Sequence, residues 1–311
     1  MAQYVFAVDL GGTTVKIGLF DSEGNVLDKW EIITRKENGG EQILPDIAKS
    51  IADKIGEKQI SKEDIIGVGI GVPGPVDSKG TIYKAANLGW GVFNVSEKLG
   101  ELTNLPVKTG NDANVAALGE MWKGGGQGYS SIVAVTLGTG VGGGVIIEGR
   151  LVAGATGAGG EIGHIHVEDN ELISCGCGNK GCLEQYASAT GITRLANERL
   201  KQDDMPSVLR EGEVSAKAVF DAVKAGDRLA VEVAEIFGMY LGKGLATVAC
   251  VVNPEAFVIG GGVSKAGEVL FDFIEKNYKK YVFHGAKDAK FCLATLGNDA
   301  GIYGAAKLVL E

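Results

Sequence analysis

The chain has 311 residues, of which 45% are hydrophobic and 22% are charged, and this length and composition predict about two globular domains with substantial cores. Its formal net charge of -9 disfavours a general binder of nucleic acids or anionic membranes, because phosphate groups repel an acidic surface. Asp9 interrupts the N-terminal apolar run, and Lys243 and Pro254 interrupt the apolar stretch 241–263, so we expect no signal peptide, no membrane span and a cytoplasmic location.

The first predicted elements recur later in the chain. Residues 5–13 form an apolar run that ends in a glycine- and threonine-rich turn, and residues 132–140 repeat that order. A second strand-like run follows each turn, at residues 15–20 and at residues 145–147. Two β-hairpins at corresponding places indicate two related domains that face each other.

The remaining segments alternate between helical and strand-like patterns, which is typical of an α/β fold. The predicted helices cover residues 42–55, 111–123, 187–200, 215–248 and 300–310, the predicted strands cover residues 65–72 and 256–259, and a turn at 260–262 leads into a helix that ends near Tyr278. The glycine-rich residues 124–128 predict a flexible join. We therefore expect a smaller N-terminal domain, residues 1–122, completed by the C-terminal helix at 300–311, and a larger domain, residues 123–299.

Both hairpin turns contain residues suited to holding phosphate. Small residues let phosphate oxygens approach backbone N–H groups, and threonine hydroxyls add donors. The residues are Asp9, Gly11, Gly12 and Thr13 at the first turn and Gly138, Thr139 and Gly140 at the second. Plain tight turns are the alternative interpretation. A strand-like run follows residues 138–143, so we reject a dinucleotide-binding fingerprint, which requires a helix there. Gly261 and Gly262 either contact a nucleotide or form a plain strand-to-helix turn.

Two short polar segments offer groups for acid–base chemistry or ligand contact. Asn111 and Asp112 end a short apolar strand and open a helix. Asp112 is therefore either the N-cap of that helix or a general base that the helix dipole keeps ionised. Asn87 lies close to Trp90 in a predicted loop, an arrangement that suits the wall of a polar-ligand site.

One histidine and three cysteines lie within nineteen residues of each other. They are His164, Cys175, Cys177 and Cys182, in a chain with five cysteines and three histidines. This is the ligand set of a tetrahedral zinc site, and the alternatives are disulfides or buried apolar thiols. An odd number of cysteines and the absence of a leader argue against disulfides. His166 is a rival ligand, because residues two apart on a strand point to the same side.

Together these segments resemble the ROK family of sugar kinases and repressors. The matching segments are residues 9–13, 72–77, 87–90, 111–114, 137–144 and 161–164, together with the cysteine loop, residues 164–184. Within the family the chain is most similar to the ATP-dependent glucokinases of Gram-positive bacteria, through residues 114–124. The resemblance implies an actin-like ATPase (ribonuclease H-like) fold with two domains and an active-site cleft between them.

The resemblance also implies roles for single residues. Asp112 matches the catalytic base of the family. The matches to its sugar-binding positions are Asn87, Asn111, Asp112, Glu161, His164 and Glu184. The matches to its nucleotide-binding positions are Asp9, Gly11, Gly12, Thr13, Lys16, Gly138, Thr139, Gly140, Gly261 and Gly262. His164, Cys175, Cys177 and Cys182 match its zinc ligands, which favours His164 over His166.

The activity that the resemblance implies is transfer of the ATP γ-phosphate to the 6-hydroxyl of glucose, with Mg²⁺ as cofactor and zinc as a structural ion. A homodimer or homotetramer is expected, with no nucleic-acid or membrane partner. One alternative is a kinase for another hexose, such as N-acetylmannosamine, N-acetylglucosamine or mannose. The other is a sugar-responsive repressor, but such repressors carry an additional N-terminal DNA-binding domain, whereas the first hairpin here begins at Val5.

Overall fold

The computed structural model describes residues 3–85 and 87–310, and its framework consists of two five-stranded β-sheets. A further pair of short strands lies outside them. In chain order the strands are β1 (Tyr4–Leu10), β2 (Thr14–Asp21), β3 (Val26–Ile33), β4 (Ile65–Val72), β5 (Thr81–Ile82), β6 (Phe93–Asn94), β7 (Val107–Asn111), β8 (Ile132–Leu137), β9 (Val141–Ile147), β10 (Arg150–Leu151), β11 (Ala256–Gly260) and β12 (Lys290–Leu293).

The two large sheets share one topology. The first has the strand order β3-β2-β1-β4-β7, and the second has the order β10-β9-β8-β11-β12. In each sheet an antiparallel hairpin, β1–β2 or β8–β9, continues into two parallel strands. The predicted repeat is therefore confirmed, because residues 5–13 and 132–140 form β1 and β8 with the turns that follow them.

The edge strands β3 and β12 are not among the predicted strands. Along β3, exposed residues alternate with half-buried ones, so the strand lacks the apolar run of the central strands. β12 has only four residues and begins with an exposed lysine. Short, polar edge strands carry little hydrophobic signal, since only their pairing with a neighbour defines them.

The helices surround the two sheets. In chain order they are α1 (Glu37–Gly40), α2 (Ile43–Lys58), α3 (Val95–Thr103), α4 (Asp112–Lys123), α5 (Glu184–Ala187), α6 (Ala189–Leu200), α7 (Ala216–Lys224), α8 (Arg228–Val252), α9 (Val269–Tyr281) and α10 (Ala300–Leu310). The predicted helices at 42–55, 111–123 and 300–310 correspond to α2, α4 and α10.

The segments 187–200 and 215–248 do not form continuous helices. Ser188 is extended, and its hydroxyl accepts the Gly191 N–H at 3.0 Å, so α6 begins anew after it. Gly226 separates α7 from α8 with a φ of +80°, and Asp227 caps α8 by accepting the Ala230 N–H at 3.0 Å. N-cap side chains and a left-handed glycine thus interrupt a continuous apolar periodicity.

Residues 124–128 form a packed turn instead of the predicted flexible join. The carboxylate of Glu120, which is 5% exposed, accepts the backbone N–H groups of Gly125, Thr295 and Leu296 at 2.9, 3.0 and 2.9 Å. A Cβ at Gly125 would lie 1.9 Å from the Leu293 carbonyl oxygen. The glycine here allows two backbone segments to approach closely. Composition alone does not distinguish this role of glycine from flexibility.

The helices α4 and α10 connect the two sheets. α10 packs against β1 and β4 of the first sheet, α4 packs against β9 of the second, and the two helices pack against each other. Their approach is close, because a Cβ at Gly304 would lie 1.6 Å from the Val115 carbonyl oxygen. The division of the chain at residues 122 and 299 stays a prediction, since α4 contacts strands of both sheets.

α8 is the central helix of the second hydrophobic core. By length and composition alone it could cross a membrane, but half of its most apolar 18-residue stretch is buried inside the protein. Leu229, Phe237, Leu241 and Leu245 are fully buried along one side of the helix. These contacts are those of a core helix.

Candidate active site

The two hairpin turns lie at the same end of their sheets and have tight backbones. In the first, the Gly11 N–H donates to the Thr14 carbonyl at 3.0 Å, and in the second, the Gly138 N–H donates to the Gly140 carbonyl at 3.0 Å. Gly261 follows β11 with a φ of +83°, and a Cβ there would lie 2.5 Å from the Leu137 carbonyl oxygen. The structure therefore brings the glycines after β11 directly against the second turn, as a shared nucleotide site requires.

A cavity of about 520 Å³ opens beside the second turn, between α6, α7 and the turn after β11. Its lining includes Thr139, Thr193, Ser215, Lys217, Phe220, Gly262 and Lys265. Small apolar and hydroxyl side chains with two lysines can hold a flat base and accompanying phosphates. Of these residues, the sequence prediction contains only Thr139 and Gly262, because α6 and α7 are distant along the chain.

Asn111, and not Asp112, caps α4. The Asn111 side-chain oxygen accepts the N–H groups of Ala113 and Asn114 at 3.0 and 3.2 Å, and its amide donates to the Gly74 carbonyl at 3.0 Å. Asp112 is the first residue of the helix, and its own Oδ1 accepts the Ala113 N–H at 2.8 Å. Because Asn111 fills the capping position, Asp112 is not needed as the cap of α4.

Two carboxylates near the start of α4, Asp112 and Asp9, have raised pKa values, and each is affected by a neighbouring carboxylate. Burial raises the pKa of Asp112, the nearby Glu161 raises it further, and the Ala113 N–H opposes both. Burial and the charge of Asp112 raise the pKa of Asp9 to about 6, against the lowering effect of Lys16. A carboxylate that raises the pKa of a neighbouring carboxylate shares a region of negative potential with it, which a bound cation would neutralise.

Two further predicted residues lie at the margin of this region. Lys16 faces Asp9 across the first hairpin, but its ammonium group donates to the Asn298 carbonyl at 2.6 Å and to Asp299 at 2.9 Å. The amide nitrogen of Asn87 lies 3.8 Å from the position of a Cβ on Gly12. Asn87 therefore reaches the first turn, whereas Lys16 is held at the start of α10.

The histidine and the three cysteines of the predicted metal site converge. One ligand atom each from His164, Cys175, Cys177 and Cys182 lies within 4.8 Å of all the others. The sulfurs of Cys177 and Cys182 are 3.6 Å apart, and the Cys175 sulfur is 3.7 Å from His164 Nδ1. Tetrahedral ligands at the usual zinc distances are separated by about 3.8 Å, so the donor set fits zinc.

His166 belongs to a different set of contacts. Its Nδ1 lies 3.0 Å from the Lys180 carbonyl oxygen, and its Nε2 lies 2.8 Å from Asp169 Oδ1. Both ring nitrogens of His166 therefore have partners outside the cysteine cluster. The histidine of the cluster is thus His164 and not His166. The cysteines of the described residues are all free thiols, so the disulfide alternative is wrong.

Glu184, the first residue of α5, connects the cysteine cluster to the second hairpin turn. Its Oε1 accepts from the Cys175 thiol at 2.8 Å and lies 3.8 Å from His164 Nδ1. Its Oε2 accepts the Val141 N–H at 3.4 Å, and a Cβ at Gly140 would lie 2.6 Å from that oxygen. In this arrangement the carboxylate of Glu184 faces the cluster and the turn at once.

Two residues at the site escaped the sequence prediction. Thr34 follows β3, and its N–H and hydroxyl donate to the carbonyls of Thr13 and Gly11 at 3.0 and 2.7 Å, which fastens the first turn. Asn114 is 2% exposed, and its Oδ1 has no hydrogen-bond partner among the described residues. No local signal marks Thr34, whereas Asn114 lies within a motif that the sequence analysis used without giving it a role.

Known proteins resemble this chain over its whole length. The model of the ROK family matches residues 5–311. A glucokinase of Halalkalibacterium halodurans is 44% identical, and the match covers 99% of this chain and 96% of the relative. A ROK family glucokinase from Streptomyces griseus, solved in complex with glucose and AMPPNP, is 36% identical with a TM-score of 0.73, and the match covers 98% of each chain.

The similarity extends to a second solved structure. A ROK hexokinase from Thermus thermophilus is 34% identical with a TM-score of 0.81, and the match covers 98% of this chain and 97% of the neighbour. The fold is accordingly the actin-like ATPase fold, with two sheets of common topology. With its paired glycine turns, its cysteine–histidine cluster and a family match over nearly every residue, this chain belongs to the ROK family.

Proposed function

We propose that this protein is a glucokinase, which transfers the γ-phosphate of ATP to the 6-hydroxyl of glucose and releases glucose 6-phosphate and ADP. The observation that carries this proposal is Asp112. It is a half-buried carboxylate of raised pKa at the start of α4, near Asp9 of the first turn and Glu161. The names of the relatives, glucokinases at 44% and 36% identity, support glucose as the sugar.

In this proposal Asp112 accepts the proton of the sugar hydroxyl as its oxygen attacks the γ-phosphorus. A raised pKa brings the carboxylate closer to the working pH and makes it a stronger base. General-base catalysis contributes about 10²–10⁴ to the rate. Asn111 orients the start of α4 through its cap, and Glu161 and His164 provide polar contacts for the sugar. Most of the remaining rate enhancement comes from the in-line positioning of the two substrates.

ATP is proposed to lie across both hairpin turns, with its base in the cavity beside α6 and α7. The backbone N–H groups around Gly11, Gly12, Gly138 and Gly140 are the phosphate donors of this proposal. Asp9 is the residue proposed to hold Mg²⁺, directly or through water, because its carboxylate is half-buried and close to Asp112. That ion supplies charge neutralisation for the transferred phosphoryl group when it is bound.

Zinc is proposed as a structural ion held by His164, Cys175, Cys177 and Cys182. Four protein ligands complete a tetrahedral site, so no position remains for a substrate. The ion would fix the segments that carry Glu161 and Glu184 on either side of the second turn.

Reduced thiols in this cluster support a cytoplasmic location. A homodimer or homotetramer is also proposed.

One assay tests the function. ADP release is measured with Mg²⁺–ATP and glucose, mannose, N-acetylglucosamine or N-acetylmannosamine as acceptors. We expect the highest kcat/KM for glucose. A higher kcat/KM for another hexose would move the assignment within the family, and the absence of ADP release with every sugar would refute the proposed activity.

A further inference from the structure

Asn114 is a buried polar residue that the proposed reaction leaves unused. It lies in the first turn of α4, two residues after Asp112, and is 2% exposed. Its Oδ1 has no hydrogen-bond partner among the described residues. An unpaired buried acceptor destabilises the free protein, and native structures rarely retain one without a functional reason.

Asn114 Oδ1 faces the segment that precedes Glu161. The oxygen lies 3.3 Å from the position of a Cβ on Gly160, which has a φ of +91°. The same Cβ position is 3.0 Å from the Gly143 carbonyl oxygen of β9. Gly160 therefore lies between α4 and β9, where a larger residue would collide with both.

The backbone of this segment has donors that match the unpaired acceptor. Within residues 3–85 and 87–310, neither the Gly160 N–H nor the Glu161 N–H donates to a protein acceptor, whereas the next N–H, that of Ile162, donates to the Gly160 carbonyl at 2.7 Å. An unpaired donor and an unpaired acceptor that are close together indicate a hydrogen bond that forms in another state of the site.

We propose that Asn114 is a positioning residue for sugar binding. When a sugar contacts Glu161, the backbone at Gly160 and Glu161 moves onto Asn114 Oδ1, and the new hydrogen bond fixes Glu161 relative to Asp112. The inference rests on the proposed function, because it takes Glu161 as a contact of the sugar. Asn114 and Asp112 lie on the same rigid helical turn, so the bond links the sugar-binding segment to the base.

The substitution Asn114→Leu, which keeps a similar shape and removes the acceptor, tests this role. Removing an unpaired acceptor should leave the Tm of the free enzyme unchanged or raise it, whereas the KM for glucose should rise about 5- to 10-fold, the effect of one lost hydrogen bond. The KM for ATP should stay within about twofold, since the bond orders only the sugar side.

Thr103→Val is the matched control. Thr103 is also buried, but its hydroxyl already donates to the Leu99 carbonyl of the same helix, α3, at 2.8 Å. This control should lower the Tm and leave both KM values unchanged. If Asn114→Leu lowers the Tm as the control does, Oδ1 is already bonded in the free enzyme and the proposal is wrong. A glucose KM within twofold of the wild type would also refute it.

Hydrogen exchange provides a readout independent of turnover. In the wild type, glucose should slow exchange at the amides of Gly160 and Glu161, and in Asn114→Leu it should not. Equal protection in both proteins would overturn the inference. Wild-type enzyme that phosphorylates no hexose would instead refute the proposed function, so the two failures are distinguishable.

Discussion

The helices α4 and α10 occupy equivalent places in the two halves of the fold. The aspartates at their starts differ in their cationic neighbours and in the direction of their pKa shifts. Each helix follows the last parallel strand of its sheet. Asp299, just before α10, pairs with Lys16 at 2.9 Å and with Lys29 at 2.6 Å. Burial raises its pKa, but the hydrogen bonds from Lys29 and Lys16 outweigh burial and lower it. Asp112 has a raised pKa, and no cationic side chain is among the main groups that shift it.

This difference teaches that a duplicated backbone does not determine the chemistry at its two copies. At the start of α10 the carboxylate of Asp299 forms ion pairs that join elements, whereas at the start of α4 the carboxylate of Asp112 has a raised pKa that suits proton transfer. The two hairpins also differ in chemistry, since Asp9 of β1 corresponds to Thr136 of β8 in the repeat. Neighbouring cations decide which role each copy takes.

The largest effect is expected from Asp112→Asn. An amide of the same shape keeps the fold and removes the base, so kcat for glucose phosphorylation should fall by about 10²–10⁴. Steady-state kinetics measure this fall, with circular dichroism to check the fold. Turnover within a few-fold of the wild type would remove Asp112 from the role of base and weaken the contrast with Asp299.

Asp9→Asn should stabilise the free protein, in the absence of nucleotide and Mg²⁺. Because burial raises the folded-state pKa of Asp9 to about 6 from its ordinary value of 3.8, the folded state binds more protons than the unfolded state between these values. Wild-type stability attributable to Asp9 therefore falls as pH rises from about 4 to about 6, by about 3 kcal/mol. Urea unfolding across pH 3–8 measures the change.

The same measurement contains its own control. The stabilisation by Asp9→Asn should be present at pH 7 and absent below about pH 4, where the wild-type carboxyl is protonated in both states. A stabilisation that did not depend on pH would contradict an electrostatic cause.

Cys177→Ala should remove zinc and weaken sugar binding together. Loss of one thiolate opens the tetrahedral set and frees the segments around Glu161 and Glu184, so the KM for glucose should rise about tenfold or more. Elemental analysis for zinc and steady-state kinetics check both effects. Cys250→Ala, an exposed cysteine of α8, should change neither. A Cys177→Ala protein that lacked zinc and bound glucose normally would show that the cluster does not organise the sugar site.

The smallest effect is expected from Asp299→Asn, the counterpart of Asp112→Asn. Loss of the ion pairs with Lys16 and Lys29, which are partly exposed, should cost about 1 kcal/mol in unfolding free energy. The lowered pKa means that this stabilisation is present above the unfolded-state pKa and is lost as pH falls below about 4. Denaturant unfolding measures it, and kcat should stay within a few-fold of the wild type. A loss of turnover as large as that of Asp112→Asn would abolish the distinction between the two aspartates.

The elements that depend on local pattern were predictable. The hairpins of β1 and β8 follow from apolar runs that end in glycine-rich turns, and α2 and α10 follow from helical periodicity. The breaks at Ser188 and Gly226 were not, because capping side chains act against an apolar pattern that continues through them. The turn at 124–128 became a packed element only through Glu120 and the distant backbone of residues 295–296.

The sequence by itself determined which groups the protein has for chemistry: two glycine turns, a carboxylate at a helix start, and three cysteines with a histidine at zinc-ligand spacing. Only the tertiary structure decided how those groups are used. It directed His166 to Asp169, made Asn111 the cap in place of Asp112, and left Asn114 Oδ1 without a partner among the residues that the structure describes. The physical reason is that residue type and spacing are local properties, whereas burial and partners come from segments as distant as Lys16 and Asp299, which are 283 positions apart.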